Sequence, residues 1–189
     1  ELGGTRVDPA VAIVTVVARS GPIAIDMGSR HLRMLQLAGT PAGLRVHAAA
    51  TLSMGKPEAG DRDAAPALSA QVPVIADLLR DNGFAGRRVV FALRPGLVRI
   101  KNFRLPPMTD EELQKAVRFE AAERFQTLDD RPEIRFLSAG HVDTADGEML
   151  ELIVMAARHD LLKDLLDATL RARLDVVGVE LGPLAMFRS

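Results

Sequence analysis

The chain has 189 residues, of which 48% are hydrophobic and 26% charged, a composition typical of a folded globular protein rather than a disordered one. Its 24 Lys and Arg residues against 25 Asp and Glu residues give a formal net charge of −1, which argues against a general nucleic-acid binder. Because the chain contains no cysteine, disulfides, thiolate metal sites and cysteine nucleophiles are excluded.

The N-terminal segment carries one apolar run. The sequence begins with Glu1 rather than methionine, which we interpret as the start of a fragment or a processed form. Residues 10–18 are apolar, but they fall short of the ~20 residues needed to cross a bilayer, so we predict no transmembrane segment here. The β-branched residues of 11–17 favour a strand or an ordered extension.

Three short apolar segments separated by turn residues come next. They predict strands at 22–27, 31–38 and 44–52. On the second strand Leu32, Met34 and Gln36 share one face. The connections are short, which predicts an antiparallel meander. The following residues, 53–66, are small, polar and rich in proline and glycine, and predict a mobile loop.

From residue 70 onward helices and strands alternate. The apolar periods predict helices at 70–82, 110–125 and 158–173, a further helix starting at 181–187, and strands at 88–93, 97–105, 133–141, 148–155 and 174–179. We place Pro73 in the first turn of its helix, where its missing N–H costs little, and Gly83 just after that helix ends. Thr109 and Glu112 have the spacing of a capping box at the start of the second helix.

The second helix has one apolar stripe and one aromatic residue away from it. The stripe consists of Leu113, Ala116, Val117, Ala121 and Phe125, and we expect it to pack on the strands at 97–105 and 133–155. Phe119 points elsewhere. The favoured interpretation is that a second surface of the same fold covers Phe119, and the alternative is a contact with a partner protein.

The turn after the first strand is the sharpest local motif. The N–H groups of Gly28, Ser29 and Arg30 can form an anion-binding nest, and the Ser29 hydroxyl can donate to a phosphate. Asp26 could hold Mg²⁺ through water, and Arg33 on the next strand could add positive charge. The alternative is an ordinary hairpin turn with a solvated aspartate.

Other catalytic or metal-binding patterns are weak. The four histidines, His31, His47, His141 and His159, include no pair with a metal-ligand spacing on one element. The serines show no nucleophile-elbow pattern, and nothing indicates a catalytic triad. The residues therefore give little support to an ordinary enzyme.

Three groups of segments, in this order, carry a resemblance to a known family. They are 23–29 with 33–37, then 89–93, 98–106 and 108–123, and finally 152–158 with 176–180. Together they resemble PilM, the family of type IV pilus assembly proteins that is related to FtsA and belongs to the actin-like ATPase superfamily. The resemblance runs from about residue 22 to residue 187 and covers only the N-terminal half of such proteins.

The resemblance implies an α/β (α+β) fold of the actin-like, ribonuclease-H-like type. A subdomain called 1A would comprise 22–96 and 156–189. A small subdomain called 1C, with the order strand, helix, strand, strand, would be inserted at 97–155. Residues 1–21 would form an N-terminal extension.

The resemblance also implies a function in protein recognition. PilM-like proteins are cytoplasmic scaffolds, peripheral to the inner membrane, that bind the N-terminal peptide of the membrane protein PilN in a groove between 1A and 1C. They couple the pilus machine to its motor ATPases. On this basis we expect an enzyme activity that is weak or absent.

The same resemblance predicts half of a site for ATP and Mg²⁺. Asp26, Gly28, Ser29, Arg30 and Arg33 would form this half, and the other half would come from residues beyond this sequence. The family commonly has lysine where this chain has Arg33, a departure that counts against tight nucleotide binding. We expect the chain alone to bind Mg-ATP weakly.

Other functions stay open at this stage. The chain could be part of an active actin-like ATPase or kinase, an FtsA-like filament protein of cell division, or a scaffold of type II secretion. An isolated half would expose apolar surface, so self-association is also expected, with Leu181, Leu184 and Phe187 as contributors.

Overall fold

A computed structural model describes residues 20–54, 67–125, 132–145 and 147–181. Within these ranges the chain forms eight strands and three α-helices. They are β1 (Ser20–Met27), β2 (His31–Thr40), β3 (Gly43–Ser53), α1 (Leu68–Asp81), β4 (Arg88–Leu93), β5 (Val98–Leu105), α2 (Asp110–Arg124), β6 (Glu133–Thr144), β7 (Gly147–Ala157), α3 (His159–Arg171) and β8 (Asp175–Leu181). A single 3₁₀ turn at Pro95–Leu97 joins β4 to β5.

The large region consists of a five-stranded sheet, α1 and α3. Its strands lie in the order β3-β2-β1-β4-β8. The meander β1–β2–β3 is antiparallel, whereas β1, β4 and β8 run parallel to one another. Alternate residues of β1 and β4 point to one face, where α1 and α3 cover them. This core includes Ile23, Ile25, Met27, Val89, Phe91, Val72, Ile75 and Leu165.

The small region consists of a three-stranded antiparallel sheet and α2. Its strands lie in the order β5-β7-β6. The predicted stripe of α2 packs on this sheet, in a core that contains Leu113, Val117, Ala121, Phe125, Phe103, Leu105, Leu150, Leu152 and Val154. The predicted packing of this helix on its neighbouring strands is therefore confirmed.

The two regions meet where β5 begins and β7 ends. Val98 and Ala157 are cross-strand partners, and both belong to the core of the large region. Further along the same strands, Phe103 and its partner Leu152 belong to the core of the small region. Because Val98 and Phe103 lie on opposite faces of β5, this strand passes from one core to the other. Between these two residues on β5, Ile100 is 50% exposed.

The start of α2 is fixed by its own sequence. The Thr109 backbone N–H donates to Glu112 Oε2 at 3.0 Å, and the Thr109 hydroxyl donates to the same oxygen at 2.7 Å. The Glu112 N–H donates back to the Thr109 hydroxyl, which completes the predicted capping box. These hydrogen bonds, chiefly that from the Thr109 hydroxyl, hold the pKa of Glu112 below its ordinary value.

The first helix begins two residues earlier than the sequence pattern suggests. Since α1 starts at Leu68, Pro73 lies inside the helix and not in its first turn. Our placement of Pro73 was wrong, and the helix lacks one i→i−4 hydrogen bond at this position. Its end is as predicted, since Gly83 has φ = +72°, the left-handed conformation that commonly follows a helix.

Two further predictions need correction. Leu181 is the last residue of β8 and is 7% exposed, so it neither starts a helix nor offers a surface for self-association. Phe119 is 66% exposed, and no described part of the chain covers it. The interpretation that a second surface of this fold buries Phe119 is therefore not upheld within the described residues.

Several predictions fall outside the residues that the structure describes. They are the strand-like run at 11–17, the loop at 53–66 beyond Met54, and the contributions of Leu184 and Phe187. The strands predicted at 133–141 and 148–155 are confirmed as β6 and β7, which pair antiparallel with Thr144 opposite Gly147.

Candidate functional site

The turn between β1 and β2 holds the predicted phosphate-binding residues. A Cβ atom added to Gly28 would lie 2.7 Å from the carbonyl oxygen of His31, so the close approach of the backbone requires glycine here. The Met54 N–H donates to the Arg30 carbonyl at 2.8 Å and ties the end of β3 to the same turn. The turn is thus a fixed structure with Ser29 and Arg30 exposed at its tip.

The charged side chains of this turn already interact with each other. Asp26 and Arg33 are cross-strand partners, and Arg33 Nη1 donates to Asp26 Oδ2 at 3.2 Å. Both side chains are about half exposed, at 47% and 57%. Arg33 therefore offsets the charge of Asp26, an arrangement that suits an ordinary hairpin as well as an anion site.

Asp26 also lies near the carboxyl ends of the parallel strands. In the parallel strands Asp26 lies beside Ala92, and Ala92 lies beside Glu180. All three are near the carboxyl ends of β1, β4 and β8, the edge at which ligands bind in open parallel sheets. Among the described residues, however, no three His, Asp or Glu side chains are grouped closely enough to hold a metal ion. The Mg²⁺ site at Asp26 stays a prediction.

A second candidate site is an apolar groove between the two regions, with a volume of about 750 Å³. One wall comes from α3 and β8 through Leu162, Leu166, Val179 and Leu181, and the other from β6 through Phe136 and Leu137. Leu93, Val98 and Ala157 also line it, at the junction of the two cores. This volume lies within the range of ligand-binding clefts.

The α3 wall of the groove follows from an unusual apolar pattern. Leu165 and Ala168 face the core of the large region and are buried. A second stripe on the same helix, which we call the outer stripe, is formed by Leu162, Leu166 and Leu170. Leu162 is half-buried and packs against the same core, whereas the other two residues are exposed. Leu166 is 44% exposed and Leu170 is 75% exposed. The helix therefore has more apolar surface than the large region uses.

The charged residues at the groove are paired with one another. His159 Nδ1 lies 3.0 Å from Glu133 Oε1, a contact that links α3 to β6 across the two regions. Lys163 Nζ donates to Asp167 Oδ2 at 2.6 Å, and this hydrogen bond raises the pKa of Lys163 and lowers that of Asp167. Arg135 lies 3.7 Å from Glu133. The groove thus offers an apolar interior with charges that partly cancel at its rim.

No protein-family model and no curated protein matches the sequence. In contrast, several solved structures are similar to this one. The protein described as the "PilM-PilN type IV pilus biogenesis complex" superposes with a TM-score of 0.71 at 25% identity, covering 87% of this chain and 48% of that one. The chain has a PilM-like fold.

A second similar structure is the cytoplasmic domain of EpsL, an inner-membrane component of the type II secretion system of Vibrio cholerae. It has a TM-score of 0.55 and 14% identity, and the match covers 86% of this chain and 57% of that one. The chain thus spans about half the length of these structural neighbours. The predicted fold class, a mixed α/β fold of the actin-like type, is confirmed.

The sequence alone did not identify the groove residues of this PilM-like fold. The resemblance predicted a groove between 1A and 1C, but no motif pointed to Leu166, Val179 or Leu137. One signal was present: the leucines at 162, 166 and 170 repeat every four residues beside the buried Leu165 and Ala168. An apolar face wider than one packing partner can cover indicates a second contact. The exact limits of the two subdomains stay a prediction.

Proposed function

We propose that this PilM-like chain is part of a cytoplasmic scaffold that acts at the inner membrane in type IV pilus assembly or in the related type II secretion system. In this proposal the groove between α3, β8 and β6 binds the cytoplasmic N-terminal peptide of a PilN-like membrane protein, and the assembled scaffold contacts the motor ATPases. The described residues include no helix long and apolar enough to span a membrane.

The observation that carries this proposal is the groove itself. It lies at the junction of the two regions, it has a volume of about 750 Å³, and apolar side chains from both regions line it. Exposed Leu137 and Leu166, at 45% and 44%, would gain most from being covered. The likeness to a protein solved in a PilM–PilN complex supports a PilN-like protein as the partner.

The test is a binding measurement with a matched pair of variants. A synthetic peptide of the cytoplasmic N-terminus of the PilN-like protein from the same organism is titrated into the full-length protein. We expect Leu166→Glu to weaken binding at least tenfold, because it places a charge in the apolar wall. Leu44→Glu, on the opposite edge of the same sheet and 76% exposed, serves as the control and should leave the affinity unchanged.

Two results would contradict the proposal. One is the absence of binding by the unmodified protein at high micromolar peptide. The other is equal affinity of the Leu166→Glu variant and the unmodified protein, which would place the peptide elsewhere. Circular dichroism of both variants should confirm that they are folded.

We further propose that the turn from Asp26 to Arg30, with Arg33, forms one half of a nucleotide site in the full-length protein. Its place at the carboxyl ends of the parallel strands supports this, as does the close backbone approach at Gly28. Because a nucleotide would need contacts from the other half, we expect no micromolar binding of Mg-ATP by the 189-residue chain in calorimetry. Micromolar binding by this chain would contradict the half-site, and unchanged Mg-ATP affinity of full-length Arg33→Ala would exclude Arg33 from it.

A further inference from the structure

We propose that the bound peptide forms a sixth strand on the open edge of β8, beneath the outer stripe of α3. This inference rests on the peptide-binding function proposed above and specifies how the peptide is held. The inference depends on three features: the edge of β8, on which no other described strand pairs, the outer stripe of α3, and the paired charges at the rim.

The edge of β8 supplies the hydrogen-bonding partners. β8 is the last strand in the order β3-β2-β1-β4-β8 and pairs with β4 on one side. An edge strand presents a row of N–H and C=O groups that an extended chain can pair with. Since Val179, Glu180 and Leu181 line the groove, this edge opens into the apolar cavity. The seven residues of β8 span ~23 Å at ~3.3 Å per residue, which suits a segment of similar length.

The outer stripe of α3 lies where a sixth strand would need a cover. The chain passes from the end of α3 at Arg171 to the start of β8 at Asp175, so the helix and the strand run in opposite directions. The stripe extends ~12 Å from Leu162 to Leu170 at 1.5 Å per residue, close to the length of four strand residues. A strand ~4.8 Å beyond β8 would place alternate side chains against Leu166 and Val179.

The charges around the groove favour an uncharged occupant. Lys163 Nζ donates to Asp167 at 2.6 Å, and His159 Nδ1 lies 3.0 Å from Glu133 Oε1, so these polar groups already have partners. A charged segment entering here would lose hydration without gaining a free counter-ion. The groove therefore complements an apolar, extended segment, and we assign the occupant to such a segment in the N-terminal peptide of the PilN-like protein.

The test is a series of partner peptides, each with one backbone N-methyl group, titrated into the full-length protein. An N-methyl group removes a backbone donor and leaves the side chain in place. Because alternate residues of an added strand direct their N–H groups toward β8, we expect affinity losses of at least tenfold at every second position of a five- to seven-residue segment. The intervening positions should change less than about threefold.

A variant of the protein provides a second readout. Leu170 belongs to the outer stripe but lies outside the residues that line the cavity, so a strand running along β8 reaches it and a ligand confined to the cavity does not. We expect Leu170→Ser to weaken peptide binding severalfold, whereas Leu44→Ser, the control on the opposite edge, should have no effect.

The outcomes separate this inference from the proposed function. Binding without alternating sensitivity, or without an effect of Leu170→Ser, leaves the peptide function intact and overturns strand addition. The absence of any binding by the unmodified peptide overturns both. Binding by the 189-residue chain but not by the full-length protein would show that the chain's own continuation occupies the edge of β8, and would overturn our choice of occupant.

Discussion

The large and small regions are held together in different ways. The five strands of the large sheet come from three separate stretches of the chain, 20–53, 88–93 and 175–181, whereas the small region is one stretch from 98 to 157. In the small region α2 starts at a capping box and lays one apolar stripe on its own sheet. In the large region α3 starts without a side-chain cap and has apolar surface left over.

The difference shows where a binding surface can arise. The small region buries the apolar stripe of α2 in its own core, while Ile100, Phe119 and Leu137 stay exposed. The large region leaves an open strand edge and the outer stripe of α3 at its border with the small region. The groove therefore arises because two differently built regions share the ends of β5 and β7.

The largest effect is expected from a substitution in the core of the small region, which also tests whether the two regions unfold in a single transition. Phe103 is 1% exposed and packs against Phe125, with ring centroids 6.0 Å apart. We expect Phe103→Ala to lower the free energy of unfolding by about 3–5 kcal/mol. Because Val98 and Ala157 join the small sheet to the large core, the loss should shift one common transition in urea, followed by circular dichroism.

The control for this experiment is Phe119→Ala, which removes an equally large ring that is 66% exposed. We expect it to change the stability by about 0.5 kcal/mol or less. Two separate transitions, of which Phe103→Ala shifts only one, would show that the regions are independent.

A smaller effect is expected in the turn of the large region. Gly28→Ala would bring a Cβ atom to within 2.7 Å of the His31 carbonyl oxygen, so the backbone would have to move. We expect a loss of about 1–3 kcal/mol in the free energy of unfolding. Gly39→Ala is the matched control, because no atom lies within 4 Å of its added Cβ. Equal stability of the two variants would show that the turn accommodates an added methyl group without cost.

The cap of α2 should contribute less. Thr109→Ala removes the side chain that closes the capping box with Glu112. We expect a loss of about 1 kcal/mol in the unfolding free energy, and Thr109→Ser, which keeps the hydroxyl, should recover most of it. An unchanged urea midpoint for Thr109→Ala would mean that local capping does not decide where this helix begins.

The smallest effect on stability is expected when a change of pH titrates Glu112 in the same cap. The pKa of Glu112 is lower in the folded chain than in the unfolded one, so its contribution is present above the unfolded pKa, ~4.3 for glutamate. That contribution should fade as the pH falls through the lower folded pKa. Glu112→Gln should therefore flatten the acid side of the stability profile. A profile that is identical in the two proteins would contradict this assignment.

Much of the fold could be predicted from local sequence patterns. The apolar period identified α2, the Thr109–Glu112 spacing identified its start, and alternation placed Leu32, Met34 and Gln36 on one face of β2. These features depend on neighbours within a few residues, where side-chain geometry and backbone hydrogen bonds act directly. The order of motifs also indicated the PilM-like fold. The turn at Asp26–Arg33 was located in the same way, but its ion pair was not foreseen.

Other features were decided only when distant segments came together. Gln36 is buried, at 1% exposed, and its side-chain amide is fully paired. It donates to the carbonyls of Gly21 and Ala85 and accepts from the Ala85 N–H. Ala85 lies 49 residues further along the chain. The edge of β8 is open because the order of the described strands ends there, which no property of residues 175–181 dictates. The groove likewise depends on how β6 and α3 approach each other. The sequence by itself determined which segments become helices and strands and which faces are apolar, because those properties are local. The tertiary structure decided which apolar faces stay uncovered, because that depends on the number and order of the packing partners.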